Sequence, residues 1–222
     1  DLPRAVVTGN PVREEMLQVG ADRQQRAARV TLGLPTDRTV IVAFAGSLGS
    51  RRLNEAVYGA VKQWSDRSDL AIHHVIGARD FDLRPELEPT DLFYQSVRYE
   101  DRMDLVLAAA DLAICRSGGT TVAELAVVGL GSILVPLPIA TRDHQTANAQ
   151  PLMVAGAAVI VADAEFDADR LVLETDALMA ANSGTSKLAE MGRAAGTLAH
   201  PEAADRVADL LETWARPGKG IQ

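Results

Sequence analysis

Leu112-Ala113-Ile114-Cys115-Arg116-Ser117-Gly118-Gly119-Thr120-Thr121-Val122-Ala123-Glu124 is the stretch on which the fold turns. Its apolar start, Leu112 to Cys115, reads as a short buried strand, and Val122 to Val128 carries an apolar helical pattern. A strand, a turn of small residues and a helix start, in that order, leave free backbone N–H groups beside the positive end of a helix. Paired glycines put no Cβ in the way of an approaching ligand. That chemistry suits a phosphate or a diphosphate.

The same alternation runs outward in both directions. Thr39 to Ala45 is apolar throughout, as a strand buried on both faces is. The turn Gly46-Ser47-Leu48-Gly49-Ser50 follows it, then a helix from Arg52 to Trp64. Further strands are expected at 70–76, 92–97, 132–135 and 158–161, and helices at 103–110, 143–155 and 202–214. Ala5-Val6-Val7 also looks strand-like. Strands alternating with helices at this spacing predict βαβ units and a Rossmann-like parallel sheet flanked by helices, an α/β fold. Ligands of such sheets sit at the carboxyl ends of the strands, where both glycine turns fall. Gly33 to Asp37 marks a boundary. It sets residues 1–38, an inter-domain segment with a leading helix, apart from residues 39–222, a ligand-binding domain with a carboxyl-terminal helix.

Composition narrows the function. A net charge of −8 disfavours a nucleic-acid backbone as partner. The single cysteine, Cys115, excludes an internal disulfide and reads as a small core residue, compatible with a reducing cytoplasm. The apolar stretch 125–140 is cut by Gly129, Gly131, Pro136 and Pro138, so it reads as helix, turn and strand rather than a membrane span. His73 and His74 are adjacent in a strand and point to opposite faces, and His144 has no second ligand at metal spacing, so neither supports a metal site. Gly46-Ser47-Leu48-Gly49 has neither dinucleotide-fingerprint nor Walker spacing, which leaves no case for NAD, ATP or another cofactor.

Two motifs have competing readings. Thr121-Val122-Ala123-Glu124 matches a capping box, in which Glu124 does no more than start a helix. Alternatively, Glu124 accepts hydrogen bonds from the paired hydroxyls of a ribose. Asp143-His144-Gln145-Thr146-Ala147-Asn148 either caps a helix or presents polar side chains to sugar hydroxyls.

Taken in order, the motifs resemble the MurG family of N-acetylglucosaminyltransferases. They are Thr8-Gly9-Asn10-Pro11-Val12-Arg13; Gly46-Ser47-Leu48-Gly49 with Asn54; Cys115-Arg116-Ser117-Gly118 with Thr121 and Glu124; Asp143-His144-Gln145 with Asn148, Ala149 and Leu152; and Gly156-Ala157-Ala158. The resemblance covers nearly the whole chain but only the carboxyl-terminal, donor-binding half of that family's two-domain GT-B fold. It implies UDP-N-acetylglucosamine as donor, with Arg13 and Ser47 at the phosphates and nearby groups. Gly118, Gly119, Thr120 and Thr121 would hold the diphosphate, Glu124 the ribose, and His144 and Gln145 the sugar. Tyr99 and Glu100 would pack and read the uracil.

The resemblance also implies that no catalytic residue lies in this stretch. The acceptor site, the membrane-facing patch and the base belong to an amino-terminal domain absent from it, and the protein would work in the cytoplasm at the inner face of the membrane. A final helix crossing to that domain would leave Trp214 exposed. Two positions depart from the family pattern. Ala45 stands where a double glycine usually begins, and Gly119-Thr120 replaces a small-plus-aliphatic pair. The competing functions are a UDP-N-acetylglucosamine 2-epimerase and a non-catalytic nucleotide-sugar-binding domain.

Overall fold

The computed structural model describes residues 5–46, 48–138, 143–180 and 186–215. Six parallel strands form one sheet: β1 (Thr39–Phe44), β2 (Leu70–Val75), β3 (Phe93–Val97), β4 (Leu112–Cys115), β5 (Ser132–Leu134) and β6 (Ala158–Ile160). Their order across the sheet is β3-β2-β1-β4-β5-β6. The chain therefore builds outward from β1 through β2 to β3, then returns to place β4 on the other side of β1. That reversal makes the gap between β1 and β4 the topological switch point, where an open α/β sheet leaves a crevice for a ligand.

Between and around the strands lie α1 (Glu14–Ala21), α2 (Gln25–Leu32), α3 (Arg51–Gln63), α4 (Met103–Ala109), α5 (Gly119–Val128), α6 (His144–Val154), α7 (Ala168–Met179), α8 (Lys187–Gly196) and α9 (Ala203–Ala215). Strand periodicity sends alternate residues to opposite layers. On β1, Val40, Val42 and Phe44 join Met16, Ala28, Leu107 and Leu125, from α1, α2, α4 and α5, in one core. Ile41 and Ala43 join Leu53, Val57 and Leu171, from α3 and α7, in the other. β1 is thus apolar on both faces, which is why 39–45 shows no polar alternation.

The strands expected beyond Ala5 form at the expected places, within a residue at either end. Ala5-Val6-Val7 is not a strand: it has no ladder partner, and Val6 and Val7 are exposed. The leading segment forms two helices, α1 and α2, which pack on α5 and α4.

Candidate functional site at the β1–β4 switch point

The turns after β1 and β4 open onto one cleft of about 660 Å³. Its walls come from Phe44 to Gly46 and Leu48 to Arg52 on one side, and Arg116, Gly118, Thr121, Leu137 and Gln145 on the other, with Arg79 reaching in from the end of β2. A larger cavity of about 900 Å³ lies at the opposite, amino end of the strands, lined by Arg23, Arg29 and Asp111 among others. There the arginines are already committed: Arg23 and Arg29 donate to the carbonyls that end α4, and Arg29 pairs with Asp111 at 2.6 Å. We take the smaller cleft as the site, because it sits at the carboxyl ends of the strands and two of its arginines, Arg51 and Arg52, are exposed and without an ion pair among the described residues.

Its β4 wall is built from a helix start with no side chain to cap it. Gly118, extended at φ −62° and ψ 148°, is the N-cap of α5, and the first intrahelical bond runs from Val122 N–H to Gly118 O at 3.0 Å. The N–H groups of Gly119, Thr120 and Thr121 precede that bond, so they are the free donors of the helix end. Thr121 is the third residue of the helix, not its cap, which removes the capping-box reading of Thr121 and Glu124. The helix begins earlier than Val122, with Gly119 and Thr120 in its first turn. Glu124 lies one turn further along the face that carries Thr121.

Glu124 is only 8% exposed. Its Oε1 lies 3.7 Å from Arg13 Nη2, and among the described residues its carboxylate accepts no hydrogen bond. Burial raises its pKa above the ordinary 4.5, and the Arg13 charge offsets this only in part. A largely enclosed carboxylate with no donor from the protein has its lone pairs free for a ligand, and the vicinal hydroxyls of a ribose are suited to supply two hydrogen bonds. Cys115 beneath it is fully buried, and its thiol pKa is raised by burial and then by the Glu124 charge, as befits a core residue rather than a nucleophile.

Gln145 and Ser117 brace the β4 wall, joining the start of α6 to the turns after β4 and β5. Leu137 N–H donates to Gln145 Oε1 at 2.9 Å, Ser117 Oγ donates to the Gln145 carbonyl at 2.9 Å, and Asn148 Nδ2 donates to Ser117 O at 3.1 Å. His144 begins α6 and is exposed. Tyr99 and Glu100 follow β3, the edge strand, three strand spacings or roughly 14 Å from β4. Neither is among the described residues lining the cleft, and Glu100 Oε1 accepts from Arg102 N–H at 2.9 Å. Ser47 lies outside the described residues.

The largest omission of the sequence reading is positive charge. Four arginines line the cleft of a chain with net charge −8: Arg51, Arg52, Arg79 and Arg116. Arg116 is a strut. It lies 2.6 Å from Asp163 and donates to Val135 O, Pro136 O and Ser50 Oγ, pinning the β1–α3 turn to the end of β5. Arg51 and Arg52 are exposed and make no ion pair among the described residues. They stand in the first turn of α3, where the helix dipole repels cations and attracts anions. That signal was readable in the sequence. Arg79 was not, since its place depends on β2 lying beside β1.

Comparison with known proteins decides the family. The model of the glycosyltransferase family 28 C-terminal domain matches residues 40–207. The chain belongs to this family. A curated relative from Mycobacterium avium is 42% identical over 208 residues, covering 93% of this chain and 50% of the relative. One from Mycolicibacterium vanbaalenii is 38% identical over 221 residues, covering 100% of this chain and 54% of the relative. Both are named UDP-N-acetylglucosamine–N-acetylmuramyl-(pentapeptide) pyrophosphoryl-undecaprenol N-acetylglucosamine transferase. The crystal structure of Acinetobacter baumannii MurG superposes with a TM-score of 0.73 at 30% identity, over 96% of this chain and 58% of that one. The family 28 domain described here thus has the GT-B donor-side architecture that the motifs implied. It spans about half the length of the curated relatives it matches.

Proposed function

We propose that this domain is the donor-binding half of an inverting N-acetylglucosaminyltransferase, with UDP-N-acetylglucosamine as donor and a lipid-linked muramoyl-peptide as acceptor, in the synthesis of peptidoglycan precursor. The observation that carries the reading is Glu124, a buried carboxylate without a hydrogen-bond donor, one turn beyond an uncapped helix start in an arginine-lined cleft. A nucleoside diphosphate supplies both missing partners: hydroxyls for the carboxylate and anionic oxygens for the helix end and the guanidinium groups. The names of the relatives, which specify this reaction, support UDP-N-acetylglucosamine as the donor.

In this reading Gly118, Gly119, Thr120 and Thr121 hold the diphosphate, Arg13 and Ser47 contact phosphate and neighbouring groups, and Glu124 binds the ribose. His144 and Gln145 read the sugar hydroxyls, and Tyr99 and Glu100 serve the uracil. An acceptor hydroxyl attacks the anomeric carbon, the bond from that carbon to the diphosphate breaks with inversion, and UDP departs. Free helix N–H groups and arginines stabilise the charge that develops on the departing diphosphate, a role that needs no metal. The base, the acceptor site and the contact with the inner face of the cytoplasmic membrane belong to an amino-terminal domain. The exposed Leu211 and Trp214 on α9 are apolar surface suited to reach it.

Transfer of labelled N-acetylglucosamine to a lipid-linked acceptor, by this chain joined to the amino-terminal half of one of its relatives, tests the reading. The expected product is acceptor-linked sugar of inverted configuration. Conversion of donor to its 2-epimer without acceptor marks an epimerase, and donor binding without turnover marks a sensing domain; either overturns the transferase reading.

A further inference from the structure

A chain of hydrogen bonds, buried at its centre, runs from β3 to the mouth of the cleft. Asn54, 3% exposed on α3, donates through Nδ2 to Ile76 O at 3.2 Å and to Asp80 Oδ2 at 3.1 Å. Its Oδ1 therefore faces His74 Nε2, 2.9 Å away, and that nitrogen must carry the proton. His74 is fully buried, and burial together with the neighbouring His73 lowers its pKa to about 3, so the ring is neutral. Nδ1 is then an acceptor, and it receives the Tyr94 hydroxyl at 3.0 Å. Each donor in the chain has one direction, from Tyr94 through His74 and Asn54 to Asp80.

Asp80, 7% exposed, holds Arg79 by two bonds: Arg79 Nε to Oδ1 at 2.8 Å and Nη2 to Oδ2 at 3.1 Å. Arg79 Nη2 also reaches Gly49 O at 3.4 Å, in the glycine turn of the cleft. This leaves both Nη1 hydrogens of a guanidinium that lines the cleft without a partner among the described residues. The turn itself is seated against the same strand end. A Cβ at Gly49 would lie 2.1 Å from Ile76 O, and one at Gly77 would lie 2.3 Å from Gly49 N. An arginine that only neutralised Asp80 would not need three buried side chains and a half-buried tyrosine behind it in register.

The geometry points to Arg79 as a phosphate-binding residue of this cleft, with Tyr94, His74, Asn54 and Asp80 as positioning residues that aim its free edge. It rests on the donor reading only for the identity of the ligand; the anion chemistry stands on the residues above. The fixed fork explains why arginine serves here, since a lysine cannot hold Asp80 through two bonds and still face a phosphate.

Calorimetry with inorganic pyrophosphate, UDP, ADP and uridine, on the wild-type chain and on Arg79→Gln and Tyr94→Phe, tests this. Arg79→Gln should weaken pyrophosphate and UDP roughly tenfold or more while leaving uridine unchanged. Tyr94→Phe, remote from the cleft, should weaken the same two ligands by about twofold to fivefold and spare uridine, with thermal melting verifying the fold. A structural effect alone would change uridine as well. Unaltered pyrophosphate and UDP affinity in Arg79→Gln, or in Tyr94→Phe, overturns the inference. Pyrophosphate binding through Arg79 without preference for UDP over ADP would instead overturn the donor reading and leave this one standing.

Discussion

Arg13 Nη2 and Glu124 Oε1 face each other at 3.7 Å, an ion pair too long to be a hydrogen bond, and it joins the residue before α1 to the second turn of α5. Arg13 is half exposed, whereas the Glu124 side chain is almost wholly enclosed. The pair leaves the carboxylate lone pairs open, and this is the feature that a purely structural glutamate would not retain.

Replacing Glu124 by Gln should therefore weaken UDP at least about tenfold, through loss of charge-assisted hydrogen bonds. It should not lower the melting temperature, because it removes a poorly compensated buried charge. A helix-cap role predicts intact affinity and little change in stability, because glutamine fills the capping position as glutamate does. Calorimetry and thermal melting on the same variant separate the two.

The raised pKa of Glu124 sets a pH dependence with opposite signs for binding and folding. Ribose hydroxyls donate to the ionised form, so UDP affinity should fall on acidification at a pH above the ordinary carboxylate range. The folded state holds the proton more tightly than the unfolded chain, so its contribution to stability is full below pH 4.5 and is lost as pH rises through the folded value. Glu124→Gln should flatten both curves, which titration calorimetry and denaturant melts across pH 4–8 would check.

His74 works in the other direction. Its folded pKa is depressed, from 6.5 to about 3, by burial and then by His73. The stability it contributes is present above pH 6.5 and is lost as pH falls toward 3. The chain should become progressively easier to denature over that interval. A denaturant midpoint constant from pH 7 to 4 would count against a buried neutral imidazole.

Gly49 and Gly46 both have positive φ, at 80° and 78°, yet they differ in surroundings. A Cβ at Gly49 would collide with Ile76 O, whereas at Gly46 it meets nothing within 4 Å. Gly46→Ala should cost about 1–2 kcal/mol, the left-handed backbone penalty alone. Gly49→Ala should cost clearly more and weaken UDP, because the turn must leave its seat on β2. Equal losses in urea melts would contradict that seating.

The sheet was legible because burial on two faces writes itself into composition: Thr39 to Ala45 and Leu112 to Cys115 admit few other readings. The start of α5 was legible as chemistry but misplaced by local rules. Thr121 and Glu124 have capping-box spacing, yet the helix starts two residues earlier, at Gly119, with Gly118 as its N-cap. Arg51 and Arg52 were visible as cations at a helix start. Arg79, the contacts of Arg116 and the His74–Asn54 chain were not, since each depends on strands brought together across 20 residues or more. Tyr99 and Glu100 came from family resemblance, and their position beyond the edge strand has no local signature in the sequence.

The most direct measurement is the affinity of this chain for UDP against ADP, under one buffer and ionic strength, by calorimetry. The account predicts that UDP binds and does so at least about tenfold more tightly, with UDP-N-acetylglucosamine sharing the preference. Equal affinity for the two nucleotides, or no binding of either, would contradict a uridine-nucleotide donor cleft at the β1–β4 switch point.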